Sequence, residues 1–127
     1  MSEWNPADTP NFSASEMACK CGCGQSDMDA SFMIRLQRLR DEFGPMIITS
    51  AFRCENHNDA IGGGPEHPLG KAADIAVDRQ KARRMLTLAV MDFPRIGVKQ
   101  RGKGRFLHLG TAEPSEVNGA SPTIWSY

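Results

Sequence analysis

Apolar positions along the chain recur with two different periods. In "DASFMIRLQRLRDEFGP", residues 29–45, Phe32, Leu36, Leu39 and Phe43 fall three or four apart. That spacing gathers side chains on one face of a helix. Asp29 stands at the capping position, and Gly44-Pro45 supply a stop. A second stripe, Ala82, Met85, Leu86, Ala89 and Val90, predicts a helix over about residues 79–92, capped by Asp78 and ended by Pro94. Four other stretches read as strands. "MIITSAF" is a β-branched run, "KAADIAV" is its short counterpart, and "RIGVK" and "RFLHLG" flank "QRGKG" as a hairpin. A helical turn is expected from Cys54 to Ile61. The four glycines and two prolines of residues 62–70 require a loop. Residues 1–15 read as an irregular lead-in. With no internal repeat and no dividing linker, residues 1–127 are expected to form a single domain around one core. The order of elements predicts an α+β fold, a small and mainly antiparallel sheet backed by helices.

The period-2 pattern also sorts the polar residues. In "KAADIAV", Ala73, Ile75 and Val77 point one way, while Ala72, Asp74 and Ala76 point the other. In "RFLHLG", Leu107 and Leu109 share one face, and Phe106 and His108 the opposite one. If the leucines join the core, His108 and Asp74 share the open face of the sheet. His67, in the intervening loop, can reach the same place. His67, Asp74 and His108 form a three-ligand set for Zn²⁺, leaving a fourth position for water as catalytic zinc requires. Spacing alone leaves two other readings open. Asp74 could pair with an arginine, and the histidines could be ordinary packed residues.

Charge narrows the picture only locally. Fifteen basic residues balance fifteen acidic ones. Arg95, Lys99, Arg101, Lys103 and Arg105 fall close together, either as a solvated hairpin or as a contact for an anionic polymer. No nucleic-acid partner is expected. No apolar run approaches the roughly 20 residues of a membrane span. The N-terminus has no basic region followed by an apolar stretch, so no secretory signal is expected. The chain is expected to be made in a cytoplasm, to be monomeric, and to act at a cell wall after release or as part of a virion. Cys19, Cys21, Cys23 and Cys54 suggest metal or free thiols more than disulfides in a reducing compartment. Cys54 and His57 are spaced to share a helical face. With two of Cys19, Cys21 and Cys23 they could build a second, structural Zn²⁺ site of Cys₃His type. A disulfide formed after release, and plain buried thiols, stay open beside it.

"TSAFRCENHNDAIGGGPEHPLGKAADI", followed by "RFLHLG", resembles the M15 zinc peptidases, the group of D-alanyl-D-alanine carboxypeptidases and peptidoglycan endopeptidases. Small phage-type members look like this chain in pattern. The resemblance takes in "FSASEMACKCGCG" and the first helix, roughly residues 11–111. It implies that His67, Asp74 and His108 ligate one catalytic Zn²⁺. It also implies that Arg53 binds a substrate carboxylate or the developing oxyanion, for which a permanently charged, forked guanidinium is suited.

Two departures bear on the chemistry. Some relatives carry a general-base carboxylate three residues before the last histidine ligand, where this chain has Arg105. No acid follows His108 either, since Leu109-Gly110 stand there. Glu66, next to His67 in a short glycine loop, is the remaining candidate base; an exposed loop charge is its other reading. The expected function is a zinc-dependent metallopeptidase hydrolysing an amide bond in a peptidoglycan stem peptide or cross-link, as a phage or prophage lysin or wall-entry enzyme. The alternative is a non-catalytic, zinc-stabilised wall-binding or virion structural module of the same fold.

Overall fold

The computed structural model describes residues 3–127. Among those residues five strands form one open sheet: β1 (Ile47–Ser50), β2 (Ala72–Ala76), β3 (Arg95–Lys99), β4 (Phe106–Gly110) and β5 (Thr123–Ser126). Their order is β1-β2-β4-β3-β5. Every neighbouring pair is antiparallel except β3 and β5, which run parallel. The helices are α1 (Ala14–Met17), α2 (Ala30–Phe43), α3 (Glu55–Ala60) and α4 (Arg79–Ala89). The expected α+β architecture is therefore present. The edge strand β5 is an addition to it.

The helix α2 forms as its pattern dictates. The Asp29 carboxylate accepts from the Phe32 N–H, and Gly44, at φ +100°, donates its N–H to the Arg40 carbonyl. Phe32, Met33, Leu36 and Leu39 are buried, and Phe43 is partly buried against them. Each such side chain removed from water stabilises the fold by about 1.5–3 kcal/mol. From α4, Arg84 donates to the carbonyls of Glu42 and Phe43 and so satisfies the open end of α2.

The helix α4 differs from expectation at both ends. Asp78 caps no backbone N–H. Its carboxylate turns 3.7 Å from the guanidinium of Arg79, which sits at φ +53°. At the other end the helix stops at Ala89, and Val90 is 55% exposed rather than part of the buried stripe. The chain turns there to bury Phe93, which meets Phe32 edge-on with ring centroids 5.8 Å apart. The lead-in carries a 3₁₀ turn at Pro6–Asp8, capped by Asn5. The Trp4 indole donates to the Thr9 hydroxyl at 2.8 Å.

The sheet separates two environments. Ile48, Ala73, Ile75, Ile96, Leu107 and Leu109 are buried in one cluster with α2 and α4. On the opposite face, register aligns one row across all five strands: Ser50, Asp74, His108, Gly97 and Trp125. A register irregularity at Thr49 brings Ser50, rather than Thr49, opposite Asp74.

Candidate metal centre

The row of aligned residues places two of the three predicted ligands side by side. Asp74 on β2 and His108 on β4 are direct partners in register. The His108 Nδ1 lies 3.0 Å from Asp74 Oδ1. His67 opens a 3₁₀ turn, His67–Leu69, that ends on Gly70 in the left-handed region at φ +71°. The turn carries the His67 ring back over the sheet, with Nε2 3.4 Å from the same Asp74 oxygen. All three side chains are buried.

The far nitrogen of each imidazole is already committed. His67 Nδ1 is 2.6 Å from the Ala51 carbonyl, an acceptor that requires N–H there. His108 Nε2 is 2.7 Å from Glu66 Oε1, a carboxylate that asks for the same. In the neutral ring this leaves His67 Nε2 and His108 Nδ1 as lone-pair donors, the tautomers that outer hydrogen bonds fix at metal sites. Two ring nitrogens and a carboxylate oxygen, mutually within 4.8 Å, converge on one point. One proton can bridge only a pair of them, whereas a cation can satisfy all three. A tetrahedron with bonds of about 2.0–2.1 Å sets its ligand atoms roughly 3.3–3.4 Å apart. The 3.0 and 3.4 Å separations are close to that edge. The donor set fits a zinc-sized cation.

The electrostatics agree. Burial alone would raise the Asp74 pKa, yet hydrogen bonds and charge from His108 and His67 hold it far below the usual carboxylate range. Burial alone would lower His108, yet Asp74 and Glu66 hold it above the ordinary imidazole value. Both shifts report a site that favours positive charge between these groups.

Glu66 is 2% exposed and lies deep under the site. Its Oε1 accepts from His108 and from Arg95 Nε at 3.0 Å, and its Oε2 accepts from the Ala112 N–H at 3.0 Å. Burial would raise its pKa, but the His108 contact and these two donors bring it below the ordinary value. Gly110 makes the room, since a Cβ there would meet the Glu66 carboxylate. Arg95, counted above with the basic hairpin, is 8% exposed and belongs to this buried network. Two of the other hairpin charges fold onto their own turn: Lys99 donates to the carbonyls of Arg101 and Lys103, and Arg105 to that of Gly102.

Arg53 sits on the shoulder of the site. Its Nη2 is 3.4 Å from Asp74 Oδ2, Nε donates to Ser50 Oγ at 3.1 Å, and Nη1 donates to Asn58 Oδ1 at 3.2 Å. Asn58, from α3, donates in turn to the Gly63 and Gly64 carbonyls. The glycine loop and the arginine are thus held by one side chain. Together these residues line a cleft of about 420 Å³, walled on the far side by Trp125 and Tyr127, within the usual range for small-ligand sites. The sequence model of the peptidase M15 family matches residues 10–110.

The chain belongs to the peptidase M15 family. Comparison with the curated proteins returns no match. The matched span contains His67, Asp74, His108 and Arg53. It stops short of Trp125 and Tyr127, which complete the cleft of this M15 chain. Sequence reasoning missed both aromatics because β5 joins the sheet through a pairing that no local pattern announces. One signal was present. Gly97 lies mid-strand, and a Cβ there would stand 2.6 Å from the Trp125 ring. Glycine inside a strand marks such close approach.

The second expected cluster is corrected in composition. The thiols of Cys19, Cys21, Cys23 and Cys54 converge, and His57 is not among them. Cys54 caps α3 with its sulfur, so His57 contributes its backbone N–H to that sulfur at 3.4 Å rather than its ring.

Proposed function

We propose that this M15 peptidase is a zinc-dependent hydrolase of peptidoglycan, cutting an amide bond in a stem peptide or cross-link. The observation that carries the reading is the pair of imidazoles whose outer nitrogens are fixed by Ala51 and Glu66, so that their inner nitrogens converge with Asp74. Zinc bound there would polarise the scissile carbonyl and bring its water towards a pKa of about 7. Arg53 faces the cleft with two of its nitrogens braced by Ser50 and Asn58. It is placed to hold a substrate carboxylate or the oxyanion that develops on the carbonyl oxygen. Trp125 and Tyr127 offer a flat apolar wall to a short peptide. Glu66, the candidate base of the sequence reading, is given a different task here. With both oxygens engaged, it orients His108 and sets its tautomer. The small phage-type proteins that the motifs resemble suggest lysis or wall entry as the setting, with a monomer reaching the wall after release or in a virion.

One observation favours the second reading, a wall-binding module with a metal-stabilised fold. The acids that line the cleft are Glu66 and Asp74, and both are engaged by histidines and arginines. A free carboxylate beside the donors is thus missing among the described residues lining the cleft. The deciding experiment incubates the zinc-loaded chain with isolated peptidoglycan and counts new amine ends. Mass spectrometry of the released peptides then names the bond. Release that disappears in His108→Ala supports the hydrolase. Wall binding without release supports the module.

A further inference from the structure

We propose that Cys19, Cys21, Cys23 and Cys54 hold a second zinc ion, structural in role, that ties the N-terminal segment to the shoulder carrying Arg53. Their four sulfurs lie within 4.8 Å of one another. The resolved edges are 3.4 Å for Cys19–Cys21, 3.7 Å for Cys19–Cys54 and 3.7 Å for Cys21–Cys54. Zinc–sulfur bonds of about 2.3 Å place tetrahedral ligand sulfurs roughly 3.8 Å apart. A disulfide would need about 2.05 Å. The separations among Cys19, Cys21 and Cys54 therefore match ligands around an ion better than any covalent pair, and Cys23 completes the set within the same 4.8 Å.

The Cys-x-Cys-x-Cys spacing is tighter than the x₂₋₄ of most zinc sites, and the backbone shows how it is accommodated. Gly22 and Gly24 take left-handed conformations at φ +89° and +80°. The Cys19 N–H donates to the Gln25 carbonyl at 2.8 Å, and the Gly22 N–H to the Cys19 carbonyl at 3.4 Å. This tight loop brings three thiols together towards the fourth. Backbone N–H groups also point at the sulfurs, from Cys54 to Cys19 Sγ and from His57 to Cys54 Sγ, each at 3.4 Å. Such donors stabilise thiolate ligands, as outer partners do around bound metals. Cys21 and Cys23 are exposed, so the ion would sit near the surface, away from the cleft.

The placement gives the ion a task. Cys54 directly follows Arg53 and opens α3, whose Asn58 holds both Arg53 and the glycine loop. Among the described residues the backbone also ties these segments through the Phe52 N–H, which donates to the Met17 carbonyl at 3.1 Å. Cross-linking residues 19–23 to residue 54 closes a loop of roughly 30 residues, which restricts the unfolded chain and fixes the folded shoulder. The site stands on its own geometry. Only its benefit to Arg53 rests on the hydrolase reading.

The test uses the full chain loaded with Co²⁺ or Zn²⁺. The Co²⁺ form should show the strong visible bands and sulfur-to-metal charge transfer of tetrahedral thiolate coordination. Those bands should persist in His108→Ala, which removes only the other site, and vanish in Cys21→Ser/Cys23→Ser. Zinc content should be two per chain in the wild type and one in each variant. Should the double serine variant fail to fold, thiol titration of the wild type decides. Native, zinc-loaded protein should hide its thiols, and chelated, denatured protein should expose all four. One zinc per chain with freely reactive native thiols, or no free thiols after chelation, would overturn the proposal, whatever the peptidoglycan assay shows.

Discussion

Asp74 and His108 face each other across β2 and β4, and a carboxylate oxygen of one lies 3.0 Å from Nδ1 of the other. His67 reaches the same oxygen from a loop. Removal of any one of the three leaves two donors, too few for a tight catalytic site. Asp74→Asn and His108→Ala should each lose the zinc of this site and reduce amine release to background. Metal analysis after gel filtration, beside the peptidoglycan assay, checks both.

Glu66 separates a positioning role from a base by which quantity moves. Glu66→Gln keeps the shape but weakens the acceptor for His108 Nε2, and loss of such an outer partner typically costs 10–100-fold in metal affinity. Competition with a chromophoric chelator should show that loss. An unchanged affinity with turnover abolished would instead make Glu66 the base. Glu66→Ala goes further, since it leaves Arg95 buried without its partner. It should destabilise the fold by about 3–5 kcal/mol in a denaturant titration.

Gly110 lies under Glu66 on the site face of β4. Gly110→Ala puts a methyl group where the carboxylate must lie. Overpacking of this kind costs about 1–3 kcal/mol. The expected result is a lower unfolding midpoint together with weaker zinc binding. A midpoint change without a metal effect would show that Glu66 can move and still hold His108.

Arg53 is braced at Nε and Nη1, and its Nη2 lies beside Asp74 where the guanidinium borders the cleft. Arg53→Lys retains the charge but not the fork. Loss of an oxyanion-binding donor costs about 10²–10³ in kcat. The variant should therefore show a fall of that order with zinc content and thermal midpoint unchanged. A change confined to KM would point to the substrate carboxylate instead.

Acid should loosen the far edge of the chain before the core. Glu116 accepts from the Glu113 N–H and from Lys71 at 2.9 Å, and its pKa is held below the ordinary 4.5, chiefly by the Glu113 N–H and then by Lys71. A carboxyl depressed in the folded state adds stability above its unfolded value, lost as pH falls through the folded one. Thermal midpoints of wild type and Glu116→Gln should thus differ at neutral pH and converge as pH falls below the ordinary 4.5 and through the lower folded-state value.

Much of this protein could be read from local pattern. The stripe Phe32, Leu36, Leu39 dictated α2, because helical spacing and burial are one requirement seen twice. Alternation in "KAADIAV" and "RFLHLG" put Asp74 and His108 on one face, because successive strand residues must point to opposite sides. The loop chemistry of residues 62–70 brought His67 within reach, and the family motifs pointed to the three candidate ligands together. What only the tertiary structure decided depends on contacts between distant segments. Arg95 looked like a surface charge until Glu66, twenty-nine residues away, was found paired with it. Asp78 had the residue type of a cap, but no sequence rule fixes whether the backbone presents an N–H to it. Val90 fitted the apolar stripe of a helix that ends one residue too early to bury it. Trp125 entered the cleft through a parallel pairing with β3 that has no period to read, and the four cysteines chose one another over His57 because Cys54 caps a helix. Sequence spacing determined which faces the side chains share. Folding alone determined which partners stand opposite them.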